Sequence, residues 1–452
     1  MRENLTQELL ELDIKHLWHP FTQMKIWPDE PPVLIDHAEG NWLVDTDGRR
    51  YFDGVSSLWV TVHGHNHPAI TKAIREQLLQ LDHSTLLGLS HEPAVRLASM
   101  LARISPGELQ HVFYSESGST AVEIALKMSY QFWQQAGYPE KKTFVALGGA
   151  YHGDTLGAVS VGGIELFHEV YRPLLFQVHR LPQPFCRRCP LSMEHPGCGL
   201  ACAEALDELL KKKANEICAV IVEPLVQGAA GMVIQPDGYL KRLWQIAKKH
   251  DVLFIADEVA TGFGRTGSMF ACEREGVEPD LMALGKGLTG GVLPLAATMT
   301  TNRIHDGFLG EYDEFKTFFH GHTYTGNPLT CAAALANISL FEEKGVIAGL
   351  EPKIEQLRKG LERISTLDHV LQVRQKGLMA GVEVGMDKAK DKSFPPEVRM
   401  GHKVIMACRK HDVIVRPLGD TIVLMPPLSS EPEELDLLLD AVYLAIEEET
   451  GR

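Results

Sequence analysis

Hydrophobic positions change their period along this chain, and each change marks an element. The opening stretch MRENLTQELLELDIKHLW is acidic and spaces its apolar residues as a helix does. After it, NWLVDTDGRRYFD alternates its side chains on both arms of a turn at Asp47-Gly48, the pattern of a β-hairpin. From about residue 68, helices are predicted over Ala69 to Leu81, Pro93 to Ile104 and Thr120 to Gln135. Strands are predicted over His111 to Tyr114, Thr143 to Leu147, Ala219 to Glu223 and Val252 to Asp257. These strands are unbroken apolar runs, as in a parallel sheet covered by helices on both faces. Beyond about residue 335 come a long helix (Leu350 to Ile364), a strand (Met379 to Val384), another helix, and a closing strand pair around Ile414 to Arg416 and Thr421 to Met425. The expected organisation is a large α/β domain over residues 68–334 and a smaller α+β domain over 335–452, with 1–67 packing beside the smaller one.

A length of 452 residues suits two such lobes, and 44% apolar with 23% charged residues is a globular composition. Apolar runs such as Val252 to Ala256 are strand-length, far from the ~20 residues that span a bilayer. The acidic start lacks the features of a secretory signal, so a cytoplasmic protein is expected. A net charge of −15 without a basic block argues against a nucleic-acid partner.

Four segments carry candidate chemistry. In VLFIADEVATGFGRTG an apolar strand ends in Asp257, where parallel sheets bind ligands. A buried carboxylate there needs a positive partner such as a protonated pyridine nitrogen; the competing reading is a turn or helix-capping Asp. In DLMALGKGLTGGVLPLAA a strand delivers Lys286 between Gly285 and Gly287, leaving room beside an amine able to form imines; Gly-Lys-Gly in a loop is otherwise unremarkable. In VFYSESGSTAVEIALKM a strand runs through Ser117, Gly118 and Ser119 directly into a helix, which makes either a phosphate site or an ordinary N-cap. In FVALGGAYHGDTLGAVS, Tyr151 and His152 offer an aromatic platform or a buried turn pair. No GxxxxGK[ST] occurs and no GxGxxG follows a strand, which weakens a nucleotide-binding reading.

In this order SESGS, YHGDT, DEVATGFGRTG, LGKGLTGG and HGHTYTGNP, all within residues 111–328, resemble the class III aminotransferases of pyridoxal-phosphate (PLP) fold type I. HLWHPFTQM with SSLWVTVHGHNHP, and RPLGDTIVLMPP near the end, resemble the branch of that family that aminates 7-keto-8-aminopelargonate (8-amino-7-oxononanoate) to 7,8-diaminopelargonate in biotin synthesis. The resemblance covers essentially the whole chain. It implies an α/β fold with a mainly parallel seven-stranded sheet flanked by helices, plus a smaller α+β domain. It implies that Lys286 holds PLP as a Schiff base and shuttles the proton, Asp257 meets the pyridine nitrogen, and Tyr151 stacks on the ring. By the same resemblance Ser117 and Gly118 hold the phosphate, joined by His322 and Thr323 from the partner of a homodimer. Phe21, Leu58, Trp59, Tyr151, Gly321 and Arg416 would contact substrate, Arg416 meeting the terminal carboxylate through its planar fork. The implied mechanism is ping-pong.

Two positions depart from the family pattern. Leu58-Trp59 stands where two tryptophans are common, and Phe21 where a tyrosine is frequent. S-adenosylmethionine is the expected donor, with lysine the alternative, and another class III ω-aminotransferase activity is the nearest competing function. A catalytically idle PLP-fold protein is disfavoured by the presence of both Lys286 and Asp257.

CRRCPLSMEHPGCGLAC places Cys186, Cys189, Cys198 and Cys202 within one loop. Four thiols at this spacing could build a zinc or iron-sulfur site, but they only approximate paired CxxC knuckles, and no metal is assigned. His63, His65 and His67 alternate along a loop before a helix, without a nearby carboxylate or cysteine in the sequence, and are read as a loop near the active site.

Overall fold

The computed structural model describes residues 2–30 and 32–451. Its centre is a seven-stranded sheet in the order Leu109–Ser115, Ala296–Thr301, Leu281–Leu284, Leu253–Asp257, Ile217–Val222, Thr143–Leu147, Val178–Leu181. Ala296–Thr301 runs antiparallel to both of its neighbours, and the other pairings are parallel. The sheet is therefore mainly parallel, as expected. Strands Val178–Leu181 and Ala296–Thr301 went unanticipated: VHRL carries two polar side chains, His179 and Arg180, and AATMTT lacks the aliphatic density of its neighbours.

The unbroken apolar runs have a direct explanation. Side chains alternate across a strand, and here both faces are dry. Val220, Val222, Phe254, Ala256, Met282 and Leu284 enter one core; Ala219, Ile221, Leu253, Ile255, Leu281 and Ala283 enter another, beneath the helix Gly118–Gln135. That helix buries Ala121, Ile124, Ala125, Met128 and Phe132 at helical spacing against the sheet.

Around this layer lie two four-stranded sheets. One combines Ile35–Glu39 and the hairpin Trp42–Asp45/Arg50–Asp53 with Val413–Ile414, which pairs parallel to Arg50–Asp53. The hairpin turns at Gly48, whose φ of +86° is open to glycine at no steric cost. The other runs Val370–Lys376, Met379–Val384, Thr421–Leu424, Arg416–Leu418 and is antiparallel throughout. The strand expected around Ile414 to Arg416 is thus two strands: the chain leaves one sheet after Ile414 and enters the other at Arg416. Among the described residues no helix is long and apolar enough to cross a membrane.

Candidate active site

The parallel strands end at one edge of the sheet, and the residues following them converge there. Asp257 closes its strand, Glu223 lies one residue past the neighbouring strand, and Lys286 opens a single 3₁₀ turn, Lys286–Thr289, just beyond Leu281–Leu284. Val222 pairs with Ala256, so the two carboxylate-bearing positions emerge side by side. Ser117 caps the helix Gly118–Gln135 reciprocally: its Oγ accepts from the Thr120 amide at 3.3 Å, and Thr120 Oγ1 accepts from the Ser117 amide at 3.1 Å. A Cβ on Gly118 would lie 2.5 Å from Val259 Cγ1, and one on Gly285 would lie 3.5 Å from Gly118 Cα. Glycines thus bring the helix start, the Asp257 strand end and the Lys286 turn into direct contact.

One cavity of about 480 Å³ gathers Phe21, Leu58, Trp59, Tyr151, Lys286 and Arg416. These come from five separate stretches of chain. Lys286 has a left-handed backbone (φ +44°), a strained conformation for a side chain of this size, and its Nζ lies 4.9 Å from the Trp59 ring centre. Burial holds the amine below the ordinary lysine range, against the pull of the Asp257 and Glu223 carboxylates; Arg265 adds to the lowering.

Asp257 is 5% exposed. His152 Nδ1 donates to its Oδ2 at 2.7 Å, and the Val259 amide donates to its Oδ1 at 3.1 Å. The sequence offered His152, with Tyr151, as part of an aromatic platform or a buried turn pair; here it is the residue that orients Asp257. The Tyr151 hydroxyl donates to Asp154 Oδ2 at 2.8 Å. Burial first, and then that bond, keeps it protonated far above the usual range. The cavity also has walls absent from the sequence-based list, namely Ile164, Leu166 and Phe167 on one side and Ala229, Ala230 and Gly231 on another. Phe21 and Phe167 meet edge to face at 5.5 Å. Small and apolar residues in loops carry no local signature, so only the folded chain reveals them.

Arg416 lines the cavity from strand Arg416–Leu418. Among the described residues no side chain forms an ion pair with its guanidinium. Gly321, His322 and Thr323 do not line this cavity. They are exposed in the 320–325 turn, where His322 Nδ1 pairs with Glu116 Oε2 at 2.6 Å, beside Ser117.

The three alternating histidines are engaged separately. His63 Nε2 bonds to the Asn337 carbonyl at 3.1 Å, His65 Nε2 to Asp53 at 2.8 Å, and His67 caps the helix Pro68–Gln80 through the Ala69 amide at 3.3 Å. The sequence separation hid the Asp53 carboxylate beside His65. The four clustered cysteines are free thiols that line one small cavity of about 20 Å³ together with His195. Among the described residues no group of three or more His, Cys, Asp or Glu side chains is arranged to hold a metal ion. Cys202 lies in the helix Ala201–Lys213 rather than in the loop proper.

The chain matches the class-III aminotransferase family over residues 24–446. It belongs to that family. Class-III aminotransferases are PLP-dependent, and the residues present fit the group: a buried amine on a strained turn, a buried hydrogen-bonded carboxylate at the adjacent strand end, and a glycine-lined helix start beside them. This aminotransferase is 52% identical over 447 residues to the adenosylmethionine-8-amino-7-oxononanoate aminotransferase of Geobacter sulfurreducens, covering 99% of each chain. It is 54% identical over 443 residues to the one of Nitratidesulfovibrio vulgaris, covering 98% of this chain and 82% of that protein. Among solved structures, the enzyme of that name from Methanocaldococcus jannaschii superposes with a TM-score of 0.94 at 43% identity, covering 98% and 99% of the two chains. An (S)-enantioselective omega-transaminase from Thermomicrobium roseum superposes with a TM-score of 0.94 at 34% identity, covering 99% of each.

Proposed function

We propose that this aminotransferase transfers an amino group to 8-amino-7-oxononanoate, giving 7,8-diaminopelargonate, with S-adenosylmethionine as the donor. The observation that carries the reading is the cavity itself. It is lined by both the Lys286 amine and an Arg416 guanidinium that has no ion-pair partner among the described residues, with walls that are mostly apolar. An aliphatic keto-acid with a carboxylate at its far end has this layout. Relatives named for the reaction, at 52% and 54% identity, support it. Among the described residues Lys286 and Arg416 are the only charged side chains lining the cavity, and none of them places a carboxylate there to meet a lysine donor's distal ammonium. That favours the sulfonium donor, which can rest against the Trp59 and Phe21 rings.

When bound, PLP supplies a carbonyl for amine exchange and a ring that draws electron density from the reacting carbon. Lys286 Nζ, once released from the cofactor, would carry the proton between the substrate carbon and the cofactor's carbonyl carbon, a task its lowered basicity suits. Asp257, oriented by the His152 N–H, would meet the pyridine nitrogen. Ser117 and Gly118 present a hydroxyl and amides at a helix start to the phosphate. Tyr151 stacks on the ring. Both half-reactions use these groups in turn, which makes the kinetics ping-pong.

The site is completed in a homodimer on this reading, Gly321, His322 and Thr323 serving the partner's cavity. Their exposure outside their own cavity supports this, as do the nearby exposed apolar residues Phe319 (73%) and Tyr324 (62%). Residues 1–67 and 335–452 form the smaller unit beside 68–334, supported by the pairing of Val413–Ile414 with Phe52 and Asp53. A cytoplasmic location is supported by eight free cysteines, a pattern suited to a reducing compartment. The test is 7,8-diaminopelargonate formation from the keto-acid with each donor offered separately. Product with S-adenosylmethionine is expected; product with lysine alone would reassign the donor, and none with either would refute the acceptor.

A further inference from the structure

Glu223 is a buried carboxylate, 6% exposed, that the reaction described above does not use. Its two oxygens work in different directions. Oε2 accepts the Tyr151 amide at 3.0 Å, and Oε1 accepts the Gly228 amide at 3.0 Å. Gly228 in turn packs against Trp59: a Cβ there would lie 3.0 Å from Trp59 Cζ3, and Trp59 lies 4.9 Å from Lys286 Nζ. The Tyr151 turn is tied a second time, by Gln227 Nε2 donating to the Gly148 carbonyl at 3.0 Å. Gln235 Nε2 fixes the Glu223 backbone, donating to its carbonyl at 2.7 Å.

We propose that Glu223 is a positioning residue for the aminotransferase reaction: its single carboxylate braces both aromatic walls, Tyr151 and Trp59, about the Lys286 amine and supplies an anion beside that amine.

The electrostatic setting makes the Glu223 charge depend on pH. Burial pushes the Glu223 carboxyl up to about 7; His152 and the two amides oppose that rise, and Asp257 adds to it. The titratable groups facing it are His152 and Tyr151 from the 148–153 turn, Asp257 from the adjacent strand end, and Lys286. Glu223 is one of two carboxylates favouring the charged form of Lys286. Removing the charge therefore makes protonation at the Lys286 nitrogen harder, whereas shortening the side chain keeps the charge and loses reach.

The inference rests on Lys286 being the point of cofactor attachment, and one set of variants separates the two. The PLP-loaded enzyme is titrated with pH, without substrates, following the visible absorbance that reports protonation at the Lys286 nitrogen. Glu223→Gln is expected to move the midpoint to lower pH, Glu223→Asp to leave it near that of the wild type, and Gln227→Met, which loses a tie to the same turn but no charge, to leave it unchanged. In turnover, both Glu223 variants are expected to lose about tenfold to a hundredfold in kcat/KM, the value of one hydrogen bond to a charged group. An unmoved midpoint in Glu223→Gln, an equal movement in Gln227→Met, or unchanged kcat/KM in Glu223→Asp overturns the proposal. Absorbance that persists unaltered in Lys286→Ala overturns instead the attachment on which it rests.

Discussion

Replacing Arg416 with methionine keeps an unbranched apolar stem and removes the guanidinium from the cavity. The backbone of strand Arg416–Leu418 pairs with Thr421–Leu424 irrespective of the side chain, and no ion pair is lost, so stability should change little. A carboxylate held by a guanidinium fork makes two charge-assisted hydrogen bonds. In a cavity partly open to water the loss is about 1.5–3 kcal/mol, or about 10- to 150-fold in kcat/KM for the keto-acid. The assay compares wild type and Arg416→Met with the keto-acid and with its methyl ester, using the product rate of each pair to form a double-mutant cycle. The ester should already have lost most of what the arginine provides, so the variant should lose far less with ester than with acid. Equal losses with acid and ester would show that Arg416 shapes the cavity without reading the carboxylate, and no loss with either would remove it from the site.

Lys286→Ala should abolish turnover, measured as product per active site, because no other amine lines the cavity; undiminished steady-state activity would refute the assignment. Gly118→Ala should weaken cofactor retention on dialysis, since its Cβ would meet Val259 Cγ1 at 2.5 Å and force the helix start away from the Lys286 turn. Lys141→Met should cost about 3 kcal/mol in chemical denaturation, because the Lys141 ammonium donates to the carbonyls of Ala214 (2.9 Å), Ile217 (3.3 Å) and Asp251 (2.8 Å). His63 is held neutral by burial, its pKa lowered from 6.5 to about 4. Between those values the unfolded chain binds the extra proton, so the stability of wild type relative to His63→Gln is full above pH 6.5 and lost as pH falls toward about 4, by about 3 kcal/mol at most.

The elements that pack on both faces were legible in the sequence because burial writes itself into composition: LFIAD and ICAVIV allow no other placement than the middle of a covered sheet. The strand end at Asp257 and the glycines around Lys286 were legible for a related reason, since charge at the end of an apolar run is costly unless it has work to do. Glu223 meets the same criterion, standing directly after ICAVIV, yet was read only as the end of its strand. Its role lies in two backbone amides contributed by distant turns, and backbone partners leave no trace in residue identity. The small-residue wall Ala229 to Gly231 and the 164–167 segment were hidden for that reason too.

What the fold adds is the link between motifs that the sequence left scattered. Ser56, Ser57 and Trp59 all have left-handed backbones (φ +50°, +59° and +66°), a conformation that costs each non-glycine residue on the order of 1–2 kcal/mol. The strain is held from three directions. Asp53 accepts the Ser57 amide at 2.8 Å through both oxygens, Ser56 Oγ donates to the Met425 carbonyl at 2.7 Å, and the fully buried Arg265 donates to the carbonyls of Thr61 at 2.7 Å and Pro426 at 2.8 Å. Arg265 comes from the GFGRTG segment that follows Asp257, and Met425 and Pro426 end the stretch that begins at Arg416. One strained turn is thus clamped between the floor segment and the strand pair carrying the carboxylate-reading arginine, and its product is the placement of Trp59 over Lys286. A buried cation that donates to two carbonyls and, among the described residues, forms no ion pair, with Asp53 only as a favourable charge nearby, makes sense only if that geometry matters, because a neutral donor would satisfy the same carbonyls at a lower desolvation cost.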